Sequence, residues 1–197
     1  MCNLKKIKLE IYLLLIVLAV TLLSTGCARW PEEPGPEPGT EYQLEITVEV
    51  VGNINSGLDD EGVYYIGINP EGDTKPGPDS DLDYWQGEYY YIKLDNWYCN
   101  LYSKDVSVSP ISLNNYPYNG NELKIKFFLS NLGVLETSID VNVVTADSSD
   151  SVYDYLDDCI NINTSLYTTG EGTSSNNLEE DEADYDIIKT SVEITNI

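Results

Sequence analysis

The sequence predicts an all-β protein: an antiparallel β-sandwich, Ig-like or jelly-roll-like, of about seven to nine strands, preceded by an apolar leader and a Pro/Gly/Glu tether. Three observations predict it. Apolar and polar residues alternate with a period of two through several segments, so each has one dry and one wet face. Those segments are short and are bounded by clusters of Gly, Pro, Asn and Asp. Beyond the leader, no segment sustains the period of an amphipathic helix. A closed barrel is the alternative architecture.

The strands follow in order. Leu44, Ile46, Val48 and Val50 alternate with Glu45, Thr47 and Glu49. Val63 to Asn69 is the second strand, followed by a loop rich in Asp, Gly and Pro; Pro70, Pro76 and Pro78 there cannot join a central ladder. Glu88 to Leu94 and Trp97 to Tyr102 flank Asp95-Asn96, a tight hairpin turn. Leu123, Ile125, Phe127 and Leu129 alternate with Lys124 and Lys126, and Ile139, Val141 and Val143 alternate with Asp140 and Asn142. Ile188, Thr190, Val192 and Ile194 form a closing strand. Ser151 to Leu156 reads as one short helical turn. Thr168 to Asp186, rich in Gly, Ser, Asn and acids, reads as a long mobile loop.

The leader has the layout of an export signal. Lys5, Lys6 and Lys8 open it, Ile11 to Leu23 is an apolar run, and Ser24-Thr25-Gly26-Cys27 closes it with small residues. The run is 13 residues, shorter than the roughly 20 that span a bilayer. An uncleaved signal anchor is the alternative. The Gly26-Cys27 ending resembles the lipobox of bacterial lipoproteins. That resemblance implies that Cys27 receives a diacylglyceryl group and becomes the first residue after cleavage. The position three before the cysteine is Ser24, where the family usually has leucine; Leu23 lies one place upstream. Residues 1–26 are then a signal peptide, residues 27–40 the lipidated cysteine and tether, and residues 41–197 a single domain. The tether carries four prolines, two glycines and three glutamates, which make it extended and semi-rigid. Two or three acyl chains hold a protein durably to a membrane. The expected location is the cell membrane or outer membrane, with the domain on the extracytoplasmic side. Trp30 is placed either to sit among the lipid headgroups or as an incidental tether residue.

Composition excludes several function classes. Removing residues 1–26 removes three lysines and one glutamate, taking the formal net charge from −24 to −26. Such a chain is unsuited to nucleic acid, whose phosphates demand Lys and Arg. The sequence has no histidine, which removes Ser-His-Asp and Cys-His nucleophiles and histidine metal sites. In the domain only Cys99 and Cys159 remain, too few for a thiolate zinc site. They are a candidate disulfide, or else two buried small apolar groups.

Two stretches are candidates for binding. Asp73, Asp79, Asp81 and Asp83 lie in one turn-forming segment, and Asp-x-Asp-x-Asp spacing suits calcium, which takes oxygen ligands from a bending loop. It is not an EF-hand: Tyr84 and Tyr90 stand where that loop needs Gly and Glu. The other reading is an acidic surface loop of good turn formers. Aromatic residues are the second feature, with 16 Tyr and 3 Trp against 2 Phe. Tyr64, Tyr90, Trp85 and Trp97 are candidates for a platform that takes a sugar ring or a partner protein. The string Tyr64-Tyr65-Ile66, Gly77-Pro78, Trp85 and Tyr89-Tyr90-Tyr91 is similar to stretches of uncharacterised bacterial lipoproteins, a resemblance that implies no activity.

The expected function is a lipid-anchored envelope protein that displays a non-catalytic binding or interaction domain to a glycan or protein ligand. The alternative is a hydrolase of wall or environmental polysaccharide working through two carboxylates. No spacing in the sequence selects such a pair.

Overall fold

The computed structural model describes residues 41–54, 62–72, 75–96, 98–113, 118–133, 137–164 and 168–196. Among them are twelve strands: β1 Tyr42–Val50, β2 Val63–Asn69, β3 Tyr90–Asp95, β4 Tyr98–Tyr102, β5 Ile111–Ser112, β6 Tyr118–Asn119, β7 Glu122–Phe128, β8 Ser138–Ala146, β9 Val152–Tyr155, β10 Ile160–Asn163, β11 Thr169–Gly172 and β12 Ile187–Asn196. They form an antiparallel β-sandwich. One sheet has the order β11-β12-β1-β7-β6; the other has β10-β8-β2-β3-β4-β5, with β9 continuing beyond β10 along the same side of β8.

The alternation read from the sequence sets which face is dry. In β1, Leu44, Ile46, Val48 and Val50 are fully buried against the opposing sheet, as are Leu123 and Ile125 of β7 and Val192 and Ile194 of β12. The outer face of this five-stranded sheet is polar. Glu45 bridges Lys124 at 3.2 Å and Lys126 at 2.5 Å from the neighbouring strand β7. Burial alone would raise the Glu45 pKa, but the two ammonium groups hold it below the ordinary value.

The seven-stranded sheet is different. Every residue of β2 and β8 is buried, so both faces of these central strands are covered. Tyr64, Ile66 and Ile68 of β2 with Ile139, Val141 and Val143 of β8 face the main core. Val63, Tyr65, Val144 and Ala146 face the other way and form a second small core with Trp85. What covers that face is the later part of the β2–β3 connection, residues 75–89, folded back across the sheet as a strap.

Two expectations are corrected. Ser151 to Leu156 is not a helical turn: it contains β9, which pairs with β8 through Val144↔Tyr155 and Thr145↔Asp154. The segment 168–186 is not a long mobile loop: it holds β11 and the 3₁₀ turn Glu180–Tyr185. Hydrogen bonds and one aromatic stack order it. Ser174 Oγ and Asn176 Nδ2 donate to Asp154 Oδ1 at 2.6 and 3.0 Å. Tyr185 stacks on Tyr153 with centroids 4.5 Å apart, and the Tyr64 hydroxyl donates to the Asp184 carbonyl at 2.5 Å.

Asp186 ends this segment and is almost fully buried. Burial holds its carboxyl above the ordinary range, and the nearby Asp154 charge adds to this, while the Leu178 N–H donated at 3.3 Å opposes it. A raised native pKa means that the folded chain holds this proton more tightly than the unfolded chain does. Ionisation of Asp186 therefore opposes folding as pH rises through the native value, and its stabilising share is fully present only below the unfolded value. Asp186→Asn, which keeps an acceptor for Leu178, is expected to melt higher than the parent at pH 7. Thermal melts across a pH series should show that advantage shrinking as pH falls through the carboxylate range.

Candidate functional site

The strap explains how the outer face of the seven-stranded sheet acquires a shape. It is fastened by backbone carbonyls rather than by strand pairing. Asn69 Nδ2 donates to the carbonyls of Lys75 and Pro76 at 3.1 and 3.2 Å, and Asn142 Nδ2 donates to that of Pro78 at 2.8 Å. The Tyr89 hydroxyl reaches the carbonyls of Pro76 and Gly77. Trp85, 2% exposed, lies over Gly67, with its Nε1 donating to the Asp79 carbonyl at 3.0 Å. Gly67 must be glycine. A Cβ there would lie 2.7 Å from Pro78 Cβ and 2.8 Å from Trp85 Cη2.

Beyond the strap, the same face is open. Tyr65, Trp85, Tyr91, Lys93, Tyr102 and Asp150 line a recess of about 280 Å³, with Leu82, Asp83 and Gln86 at the strap side. Register places the aromatic residues. Tyr91 lies opposite Tyr102 in the β3–β4 pair, and their rings stack with centroids 4.8 Å apart and planes 5° from parallel. Tyr65 meets Trp85 edge-to-face at 6.3 Å, and the Lys93 ammonium lies 5.3 Å from the centre of the Tyr65 ring. Lys93 also pairs with Asp95 at 3.3 Å.

Asp150 enters from the β8–β9 turn. Asp147 Oδ1 builds that turn by accepting from the backbone N–H groups of Ser149 and Ser151 at 2.8 and 2.9 Å. The chain then passes through Asp150 with φ 65°, a left-handed conformation that Asp tolerates better than most residues. Its Oδ1 accepts the Tyr65 hydroxyl at 2.5 Å. Burial, and then this carboxylate, push the Tyr65 pKa strongly upward; burial, and then Tyr102 and Asp150, push up that of Tyr91. Both phenols stay protonated and able to donate at any physiological pH.

The residues singled out in the sequence fall in several places. Tyr64 lies fully buried in the main core and is not part of an exposed platform, because its neighbours Ile66 and Ile68 set the even positions of β2 inward. Tyr90 is half-buried and packs against the same core. Trp85 is largely covered, yet lines the recess. Trp97, Asp73 and Cys27 lie outside the described residues. Tyr65 and Tyr91 stand in the sequence's aromatic string without being chosen as platform residues, and Lys93, Tyr102 and Asp150 are not candidates there at all. The parity of their strands was signal enough for four of them, since Ile66, Ile92, Leu94 and Leu101 point inward.

Asp79, Asp81 and Asp83 are exposed, and the first two are spent on the turn. Asp79 Oδ1 accepts from Asp81 N at 2.9 Å, and Asp81 Oδ1 accepts from Asp83 N at 3.2 Å, capping the 3₁₀ turn Leu82–Tyr84. Among the described residues no group of three or more Cys, Asp or Glu side chains is placed to hold a metal ion. Cys99 and Cys159 are both free thiols, on opposite faces of the seven-stranded sheet. Burial in the main core pushes the Cys99 pKa up to about 12. The Cys159 thiol donates to the Pro78 carbonyl beneath the strap, where burial and then the Asp140 charge push its pKa up to about 11. Of the two readings of these cysteines, the structure has the unpaired thiols and not the disulfide.

Comparison with models of protein families, with curated proteins and with solved structures finds no match for this chain.

Proposed function

We propose that this protein is a lipid-anchored envelope protein, held by acyl chains on Cys27, that displays a non-catalytic β-sandwich for binding a glycan or protein outside the cytoplasmic membrane. The observation that carries the binding role is the open aromatic recess on the outer face of the seven-stranded sheet. Such a face normally either takes a covering element or stays uniformly polar. Here the strap covers part of it and stops, leaving ordered rings beside the polar side chains of Asp83, Gln86, Lys93 and Asp150. The anchoring role rests on the export-type leader, the lipobox-like Gly26-Cys27 and the Pro/Gly/Glu tether.

The binding reading is favoured over the hydrolase by the environments of the carboxylates. A glycosidase pair needs two acids held in contrasting surroundings. At the recess, Asp83 and Asp150 are both exposed, so neither has the secluded environment a general acid requires, and Asp150 also accepts the Tyr65 hydroxyl. The deeply buried Asp154 is saturated with hydrogen bonds at the far side of β8.

Metabolic labelling with an alkyne fatty acid tests the anchor. The wild-type chain is expected to carry the label and to sediment with membranes, and Cys27→Ala to lose the label. A Cys27→Ala chain that remains labelled and membrane-bound contradicts the reading.

A further inference from the structure

We infer that the recess between the strap and the Tyr91–Tyr102 pair is a subsite for a neutral pyranose glycan. This rests on the binding role proposed above and names the ligand class. Four features converge on it. Its volume, about 280 Å³, sits at or just below the small end of the roughly 300–1,000 Å³ range of ligand pockets, so it suits one or two sugar rings rather than an extended peptide or lipid. Its aromatic component is ordered: the buried Tyr65–Trp85 edge contact forms the floor, and the half-buried, mutually stacked Tyr91 and Tyr102 supply the accessible ring surface. A sugar ring has one apolar C–H face, which packs on such a ring at little entropic cost.

The polar component suits a rim of hydroxyls. Asp150 and Asp83 accept, the Lys93 ammonium donates, and Gln86 does both. An apolar ligand would leave these groups desolvated and unpaired. Charge then selects among sugars. Two carboxylates line the recess against one lysine that is already paired with Asp95, and the whole chain carries −24. Uronate and phosphate polymers are repelled by that field. Neutral hexose and N-acetylhexosamine chains are not.

The test uses the full-length protein purified in detergent, with calorimetric titration by cellohexaose, laminarihexaose, mannohexaose, xylohexaose and chitohexaose. Polygalacturonate and a basic peptide serve as charged comparisons. At least one neutral oligosaccharide is expected to bind and to shift tryptophan emission, since Trp85 lines the recess. Tyr102→Ala should weaken that binding roughly tenfold, as loss of a stacking contact does. Gln86→Ala, on an exposed turn where folding is not at stake, should weaken it by about threefold, and Ile188→Ala on the opposite sheet should leave it unchanged. The inference is overturned if none of the neutral probes binds, if both recess variants bind as the wild type does, or if polygalacturonate or the peptide binds in their place. Because binding is read on purified protein and anchoring by labelling in cells, failure of one leaves the other standing.

Discussion

Replacing Asp154 with alanine is expected to destabilise the domain by about 3–5 kcal/mol, the largest effect of any single polar substitution we foresee. Asp154 is fully buried, yet its carboxylate accepts four hydrogen bonds. Oδ1 takes the Tyr155 N–H at 2.8 Å, Ser174 Oγ at 2.6 Å and Asn176 Nδ2 at 3.0 Å, and Oδ2 takes the Ile187 N–H at 2.7 Å. One side chain thus ties β9, the segment after β11 and the start of β12 together. Truncation leaves buried donors with no acceptor, and each such group costs about 1–3 kcal/mol. Partial relief comes from Asp186, whose ionisation the Asp154 charge opposes. Asp154→Asn keeps the volume and one acceptor but turns an NH₂ toward donors, so it should fall between the two. Urea unfolding of the three proteins checks the order. An Asp154→Ala chain within experimental error of wild type would show that this carboxylate does not organise the 173–187 segment.

The second large effect is expected at Trp85. Trp85→Ala removes the centre of the small outer core formed by Val63, Tyr65, Val144 and Ala146, and should cost about 3–5 kcal/mol, as large aromatic truncations in cores do. The loss is more than stability. Without the indole, Tyr65 loses its edge contact and the strap loses the Nε1 bond to the Asp79 carbonyl. The recess should lose its wall on that side. Main-core truncations of similar cost, such as Ile46→Ala, should leave the recess intact in whatever fraction stays folded. Denaturant unfolding, together with glycan titration of the folded fraction, separates the two kinds of variant.

How much of this was legible in the sequence depends on chain length of each element. The seven long strands were readable because five or more residues suffice to show either alternation, as in β1, β7 and β12, or a β-branched and aromatic run bounded by turn formers, as in β2. The five short ones, β5, β6, β9, β10 and β11, are two to four residues long, too short to show a period. In β9 the sequence Val-Tyr-Asp-Tyr puts a buried aspartate where a strand should be apolar; the donors from Tyr155, Ser174, Asn176 and Ile187 make that position tolerable. The strap was misread in character rather than in place. Its Asp79, Asp81 and Asp83 are exposed as expected, but the segment beneath them docks on Gly67 and Asn69 of the strand it has just left and on Asn142 of β8, far from it in sequence. The recess was half legible. Strand parity puts Tyr65, Tyr91 and Tyr102 on one face, whereas the stack of Tyr91 on Tyr102 and the arrival of Asp150 need register and turn geometry.

The central claim is that the strap is docked and so divides one sheet face into a covered part and an open part. Hydroxyl-radical footprinting of the full-length protein, read residue by residue by mass spectrometry, tests this most directly. Trp85 should oxidise as slowly as Tyr64, which is fully buried, and far more slowly than Tyr84 and Tyr98, which are 67% and 70% exposed. In Gly67→Val, whose side chain must push Pro78 and Trp85 off the sheet, Trp85 should become reactive while Tyr64 stays protected. Oxidation of Trp85 in the wild-type protein at the rate of Tyr84 would contradict the account.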